Sequence, residues 1–138
     1  MRLVEQGIPG IPRIISPQTH RLLDYLTTGA FLFVGALFWK NHKRASIGAI
    51  INGAFVLGAT LLTDYDGDGR RPLSFETHGE LDVVQAGMAA AVPRVLGFAD
   101  EGKAWFFRAQ AINEMGVVAM TDFEATTSRH RAMRERAA

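Results

Sequence analysis

The sequence predicts an all-α fold: a four-helix transmembrane bundle built from two parallel two-helix repeats. Three observations carry that expectation. First, residues 13–66 align without a gap on residues 71–124, with eleven identities where ordinary composition gives about three or four. The identities include Thr19-His20-x-x-Leu23-Asp24 against Thr77-His78-x-x-Leu81-Asp82, and Thr63-Asp64 against Thr121-Asp122. Second, residues 25–39 and 45–63 run 15 and 19 residues without a charge. A helix of roughly 20 residues, about 30 Å long, matches a bilayer core. Third, those segments are dense in glycine and alanine, including Gly29, Gly35, Gly48, Gly53 and Gly58. Each such glycine costs close to 1 kcal/mol against alanine in a water-soluble helix, whereas in lipid small residues let backbones approach.

Taken in order, residues 1–18 carry Arg2, Glu5, Arg13 and three prolines and hold no long apolar run, so they do not read as a signal peptide. Helix one is expected over 19–40, opened by Ser16-Pro17 and Thr19, whose hydroxyls suit N-caps. Lys40-Asn41-His42-Lys43-Arg44 is a polar turn into helix two, 44–63. Residues 64–72, acidic, glycine-rich and ending in proline, stop that helix and link the repeats. Ser74 and Thr77 open helix three, 77–97, and residues 97–102 turn the chain into helix four, 103–122. Residues 125–138 read as a polar tail, partly helical.

Composition narrows the classes. Lys and Arg number 15 against 14 Asp and Glu, which leaves no nucleic-acid surface, and the absence of cysteine removes disulfides and thiolate metal sites. Mean hydropathy is only +0.06, so the membrane reading rests on distribution rather than on the average. The second repeat is the weaker half, because Arg94, Arg108 and Glu114 interrupt its apolar runs. A soluble four-helix bundle is the competing architecture. Two crossings per repeat bring the start of helices one and three and the end of helices two and four to the same face. Nine cations (Arg2, Arg13, Arg21, Arg70, Arg71, Arg129, Arg131, Arg134, Arg136) fall on that face or its tails, against Lys40, Lys43, Arg44 and Lys103 in the opposite turns. The bias places both termini in the cytoplasm of an inner-membrane protein.

The same topology gathers His20, Asp24, Asp64, His78, Asp82 and Asp122 at one rim. Spacing of i, i+4 sets each imidazole and its carboxylate on one helix face. Two readings fit: a buried polar clamp that holds the repeats in register, or a site for a divalent metal or for protons. A joint network with Asp64 and Asp122 is expected, since a carboxylate at a helix C-terminus opposes the dipole and needs compensation. Asp64-x-Asp66-x-Asp68-Gly69 matches the opening of a calcium loop, but Phe75 stands where the twelfth-position glutamate belongs. Glu114, mid-helix with Val56 as its repeat partner, is an intramembrane acid, either functional or hydrogen-bonded to Asn52, Gln85 or Asn113.

The run from Ile15-Ser16-Pro17-Gln18-Thr19-His20 to Asp24-Tyr25, with Thr63-Asp64-Tyr65 and Thr77-His78-Gly79-Glu80-Leu81-Asp82, resembles small four-span bacterial membrane proteins of the SPW-repeat type. The resemblance covers roughly residues 15–123 and implies a four-span membrane topology and no established activity. With no nucleophile–base pair, phosphate loop or heme motif, the expectation is not an enzyme. It is a structural or accessory membrane protein that contacts the lipid bilayer and is a homo-oligomer or a subunit of a membrane complex. Ion or proton handling is the alternative. No cofactor is expected beyond the divalent metal of that second reading.

Overall fold

The computed structural model describes Val4 and residues 7–138; Arg2 and Glu5 lie outside the described residues. Five helices stand among them: α1 Pro17–Phe38, α2 Lys43–Leu62, α3 Phe75–Val95, α4 Ala104–Met120 and α5 Glu124–Ala137. The fold class is all-α, with four long helices as expected and a fifth where a polar, partly helical tail was expected.

Helices α1 and α3 begin two residues earlier than the threonines suggested, because serine is the cap. Ser16 and Ser74 are extended (φ −74°, ψ 162° and φ −68°, ψ 156°), and each Oγ accepts the N–H three residues on, from Thr19 at 3.2 Å and Thr77 at 3.1 Å. The threonine hydroxyls bond the same serines, at 3.0 and 2.9 Å. Pro17 follows its cap in the first turn, where its missing N–H is not needed. His42 caps α2 by accepting Ala45 N–H at Nδ1, 3.1 Å. Helix α3 stops on a left-handed glycine: Gly97 (φ 73°) donates to Arg94 O, and Phe98 N–H reaches Pro93 O at 2.7 Å. That 6→1, 5→2 pattern satisfies the last carbonyls and buries the Phe98 ring.

Helix α1 packs on α2, α3 on α4, and α2 on α3. At one end the two turns meet, where His42 Nε2 bonds Glu101 at 2.5 Å and Arg44 donates to Leu96 O and Gly97 O. At the other end the segments entering α1 and α3 pair with the segments leaving α4 and α2. Ile15 N–H donates to Met120 O and Asp122 N–H to Ile15 O; Leu73 N–H donates to Leu62 O and Asp64 N–H to Leu73 O. The two short parallel pairings, Ile15 with Thr121 and Leu73 with Thr63, match each other, since Ile15 and Leu73, and likewise Thr63 and Thr121, stand 58 residues apart.

Two apolar clusters flank the middle of the bundle. Phe31, Ala49, Ala89, Phe98, Phe107 and their neighbours fill the turn end, while Val4, Tyr65, Phe75 and Phe123 fill the other. Glycine lets the backbones close up: a Cβ on Gly48 would sit 2.5 Å from Val92 Cγ1, and one on Gly79 2.6 Å from the Phe123 ring. The polar α5 docks through His130 Nδ1 on Gly67 O at 2.9 Å and through a Thr127–Glu76 hydrogen bond.

Among the described residues two helices, α1 and α2, are long and apolar enough to cross a membrane, at 22 and 20 residues or about 33 and 30 Å. The sequence reading expected four such helices. Helix α4 is only 17 residues, and α3 carries Glu76, Glu80, Asp82 and Arg94.

Candidate functional site

The side chains of His20, Asp24, His78 and Asp82 converge where α1 faces α3, with one ligand atom from each lying within 4.8 Å of all the others. They form a closed ring. His20 Nε2 lies 3.4 Å from Asp24 Oδ1 and 3.0 Å from Asp82 Oδ2. His78 Nε2 lies 3.1 Å from Asp24 Oδ2 and 3.3 Å from Asp82 Oδ1. Each carboxylate thus bridges both imidazoles. Both histidines are fully buried, Asp24 is 7% exposed, and Phe75 and Phe123 stand edge-on to the His20 ring at 5.2 and 5.5 Å.

The far nitrogen of each ring is held by a threonine. His20 Nδ1 is 2.8 Å from Thr121 Oγ1, and His78 Nδ1 is 2.8 Å from Thr63 Oγ1. Each hydroxyl already donates its single hydrogen to the carbonyl four residues back, Val117 O or Ala59 O, at 2.6 Å. Its oxygen can therefore only accept, so Nδ1 of each histidine carries the proton and donates. Both Nε2 atoms are left aimed at carboxylate oxygens. Such an arrangement needs positive charge inside the ring, supplied either by a proton on each Nε2 or by a cation held between them.

Tyr65 breaks the symmetry. Its hydroxyl donates to Asp24 Oδ2 at 2.6 Å and lies 3.3 Å from His78 Nε2, whereas the corresponding position 58 residues on is Phe123. Burial first, then the Asp24 carboxylate, push the Tyr65 hydroxyl above its ordinary range, so it remains a donor.

Below the ring toward the bundle centre lies a small cavity of about 10 Å³, lined by His20, Asp24, Asp82, Gln85 and Glu114 among others. That is room for one water-sized species. Glu114 is 8% exposed, and neither carboxylate oxygen has a hydrogen-bond partner. The expectation that Asn52, Gln85 or Asn113 would satisfy it fails. Gln85 Nε2 donates instead to Asn52 Oδ1 at 3.0 Å, and Asn52 Nδ2 to Gly48 O.

The expected membership of Asp64 and Asp122 is also corrected. Thr63 and Thr121 have extended backbones (ψ 135° and 136°), so successive side chains point to opposite sides. Thr63 and Tyr65 go inward with Asp64 outward, and Thr121 and Phe123 go inward with Asp122 outward. Asp64 accepts Gly67, Asp68 and Gly69 N–H groups, and Asp122 accepts Glu124 N–H. Partial burial works against the Asp64 charge, but those backbone donors outweigh it and hold the carboxyl below its usual range. The calcium-loop reading falls with it. Asp64 is committed to its own turn, Asp66 pairs with Arg21 at 3.6 Å, and Asp68 with Arg70 at 3.3 Å. Among the described residues, His20, Asp24, His78 and Asp82 are the group whose ligand atoms converge.

Sequence reasoning missed Thr63, Thr121 and Tyr65 as members of the site. The signal was present, since both threonines stand among the repeated identities. No protein family, curated protein or solved structure matches this chain.

Proposed function

We propose that this chain is a small four-span membrane protein with a structural or accessory role, not an enzyme, and that it associates with itself or a larger membrane complex. The observation that carries the reading is the outer surface of all four long helices. Phe33 on α1 is 68% exposed, Ile51 on α2 51%, Val95 on α3 76% and Ile112 on α4 70%. The ionisable ring and Glu114 face inward. A surface of that kind, apolar outside and polar within, suits lipid as its surroundings. Helices α3 and α4 share it although their composition is the less apolar. Trp39 and Trp105, both well exposed at the turn end, suit a membrane–water interface.

Gly29, Gly58, Gly87 and Gly116 support self-association. They occupy matching repeat positions, and a Cβ built on any of them meets nothing within 4 Å. Outward small residues at helical surfaces are what a neighbouring transmembrane helix packs against. The matched contacts at positions 58 apart favour a duplicated hairpin, and the resemblance to SPW-repeat proteins points the same way. Arg129, Arg131, Arg134 and Arg136 on α5 add cations to the face carrying both termini, which favours a cytoplasmic placement in the inner membrane.

The test is extraction followed by sizing. The chain is expected to remain in the membrane fraction after an alkaline carbonate wash, to dissolve only with detergent, and to run larger than a monomer. Gly29→Leu together with Gly87→Leu is expected to return it to a monomer. Release into buffer without detergent would overturn the membrane reading, and a strict monomer in mild detergent the self-association.

A further inference from the structure

We propose that the ring of His20, Asp24, His78 and Asp82 is a binding site for one divalent first-row transition metal ion, with zinc the best match, and that Glu114 faces a water seated beside the ion. The inference goes beyond the structural role proposed above and stands apart from it, because the four ligands come from α1 and α3 whatever surrounds the bundle.

Geometry comes first. Donors about 2.0–2.2 Å from a tetrahedral ion stand about 3.3–3.6 Å from one another. The four nitrogen–oxygen separations around the ring are 3.0, 3.1, 3.3 and 3.4 Å, with each carboxylate turning one oxygen to each imidazole. One donor atom from each residue lies within 4.8 Å of the other three, so small side-chain rotations bring four donors onto one ion. The second argument is orientation. A metal-bound imidazole normally donates its other N–H to a fixed acceptor, which sets tautomer and ring angle. Thr63 and Thr121 do this here, each with its hydroxyl hydrogen tied to its own helix. Both Nε2 lone pairs are thereby presented to the same point. The donor set of two imidazoles and two carboxylates suits a borderline ion such as zinc, while calcium and magnesium favour oxygen alone.

An independent observation is Glu114. A nine-tenths-buried carboxyl with both oxygens unpartnered is costly, and it opens on the cavity that His20, Asp24 and Asp82 line. A water seated in that one-molecule space, beside the four-ligand ion, gives Glu114 its hydrogen-bond partner. Position 56, its repeat counterpart, is valine and lines the same cavity, so Glu114 faces that space with no carboxyl at the matching position.

The experiment uses the full chain purified in mild detergent, stripped with a chelator and titrated with Zn²⁺ and, as a spectroscopic probe, Co²⁺. Saturable uptake of one ion per chain is expected, with the visible absorption of a low-coordinate cobalt site that Zn²⁺ displaces. Asp24→Asn and Asp82→Asn should each abolish it. Thr63→Val and Thr121→Val, which touch no ligand atom, should weaken it about 10–100-fold. Glu114→Gln should keep the stoichiometry but alter the cobalt spectrum, and Asp66→Asn in the loop should change nothing. Should the aspartate variants fail to fold, by helical circular dichroism and sizing, the threonine variants carry the decision. Absence of saturable binding, or binding indifferent to the threonine variants, would overturn the proposal.

Discussion

Tyr65→Phe isolates one hydrogen bond of the buried ring with little change of shape. The chain supplies its own control, since Phe123 holds the corresponding place and packs 5.5 Å from His20, as Tyr65 packs 5.3 Å from His78. The substitution therefore leaves the aromatic wall intact and removes only a hydroxyl that donates to Asp24 Oδ2 at 2.6 Å. A hydrogen bond to a charged group is worth about 1.5–3 kcal/mol, and that is the expected loss of unfolding free energy. The assay is reversible unfolding in mild detergent followed by far-UV circular dichroism, repeated across pH. The sign of the pH effect follows from the raised Tyr65 value. Above the ordinary 10.0, the unfolded chain has released this proton and the folded chain retains it, so stability declines as pH rises there. The contribution is intact below pH 10 and is lost above it, so wild type and variant should converge on the alkaline side. A loss under about 0.5 kcal/mol at neutral pH, the range of an inconsequential surface change, would refute the reasoning.

Gly79→Ala should destabilise by about 1–3 kcal/mol in the same assay, because its Cβ would lie 2.6–2.8 Å from the Phe123 ring and Val4. Gly87→Ala meets open space and should stabilise the monomeric fold by up to about 1 kcal/mol; equal effects at the two positions would contradict the packing described. Asp64→Asn should flatten the acid limb of stability against pH. The lowered value makes that carboxylate's contribution present above 3.8 and lost as pH falls below it, which a comparison of acid unfolding midpoints would read.

The fold was largely legible locally. Ser16-Pro17 and Ser74 are helix-start signals in the sequence, and the Gly97 stop is a one-residue signal too. Helix α5 was not, because its residues are polar on all sides and its placement depends on a carbonyl 63 residues earlier, Gly67 O. In the site, the i, i+4 spacing of histidine and aspartate was readable, as was their recurrence. The wrong choice of Asp64 and Asp122 over Thr63 and Thr121 has a simple origin. Charge drew attention to the aspartates, while the extended backbone at positions 63 and 121 turned the neutral neighbour inward. Nor could sequence tell that Gln85 would pair with Asn52 and leave Glu114 facing the cavity.

Single-cysteine labelling tests four membrane crossings most directly, and the chain contains no native cysteine to remove. Cysteines at Asn41, Asp68, Gly102 and Ser128 would be challenged with a membrane-impermeant maleimide in intact and in opened cells. Asn41 and Gly102, in the two turns, are expected to label from one side, and Asp68 and Ser128 only from the other. Identical labelling of all four positions would contradict it.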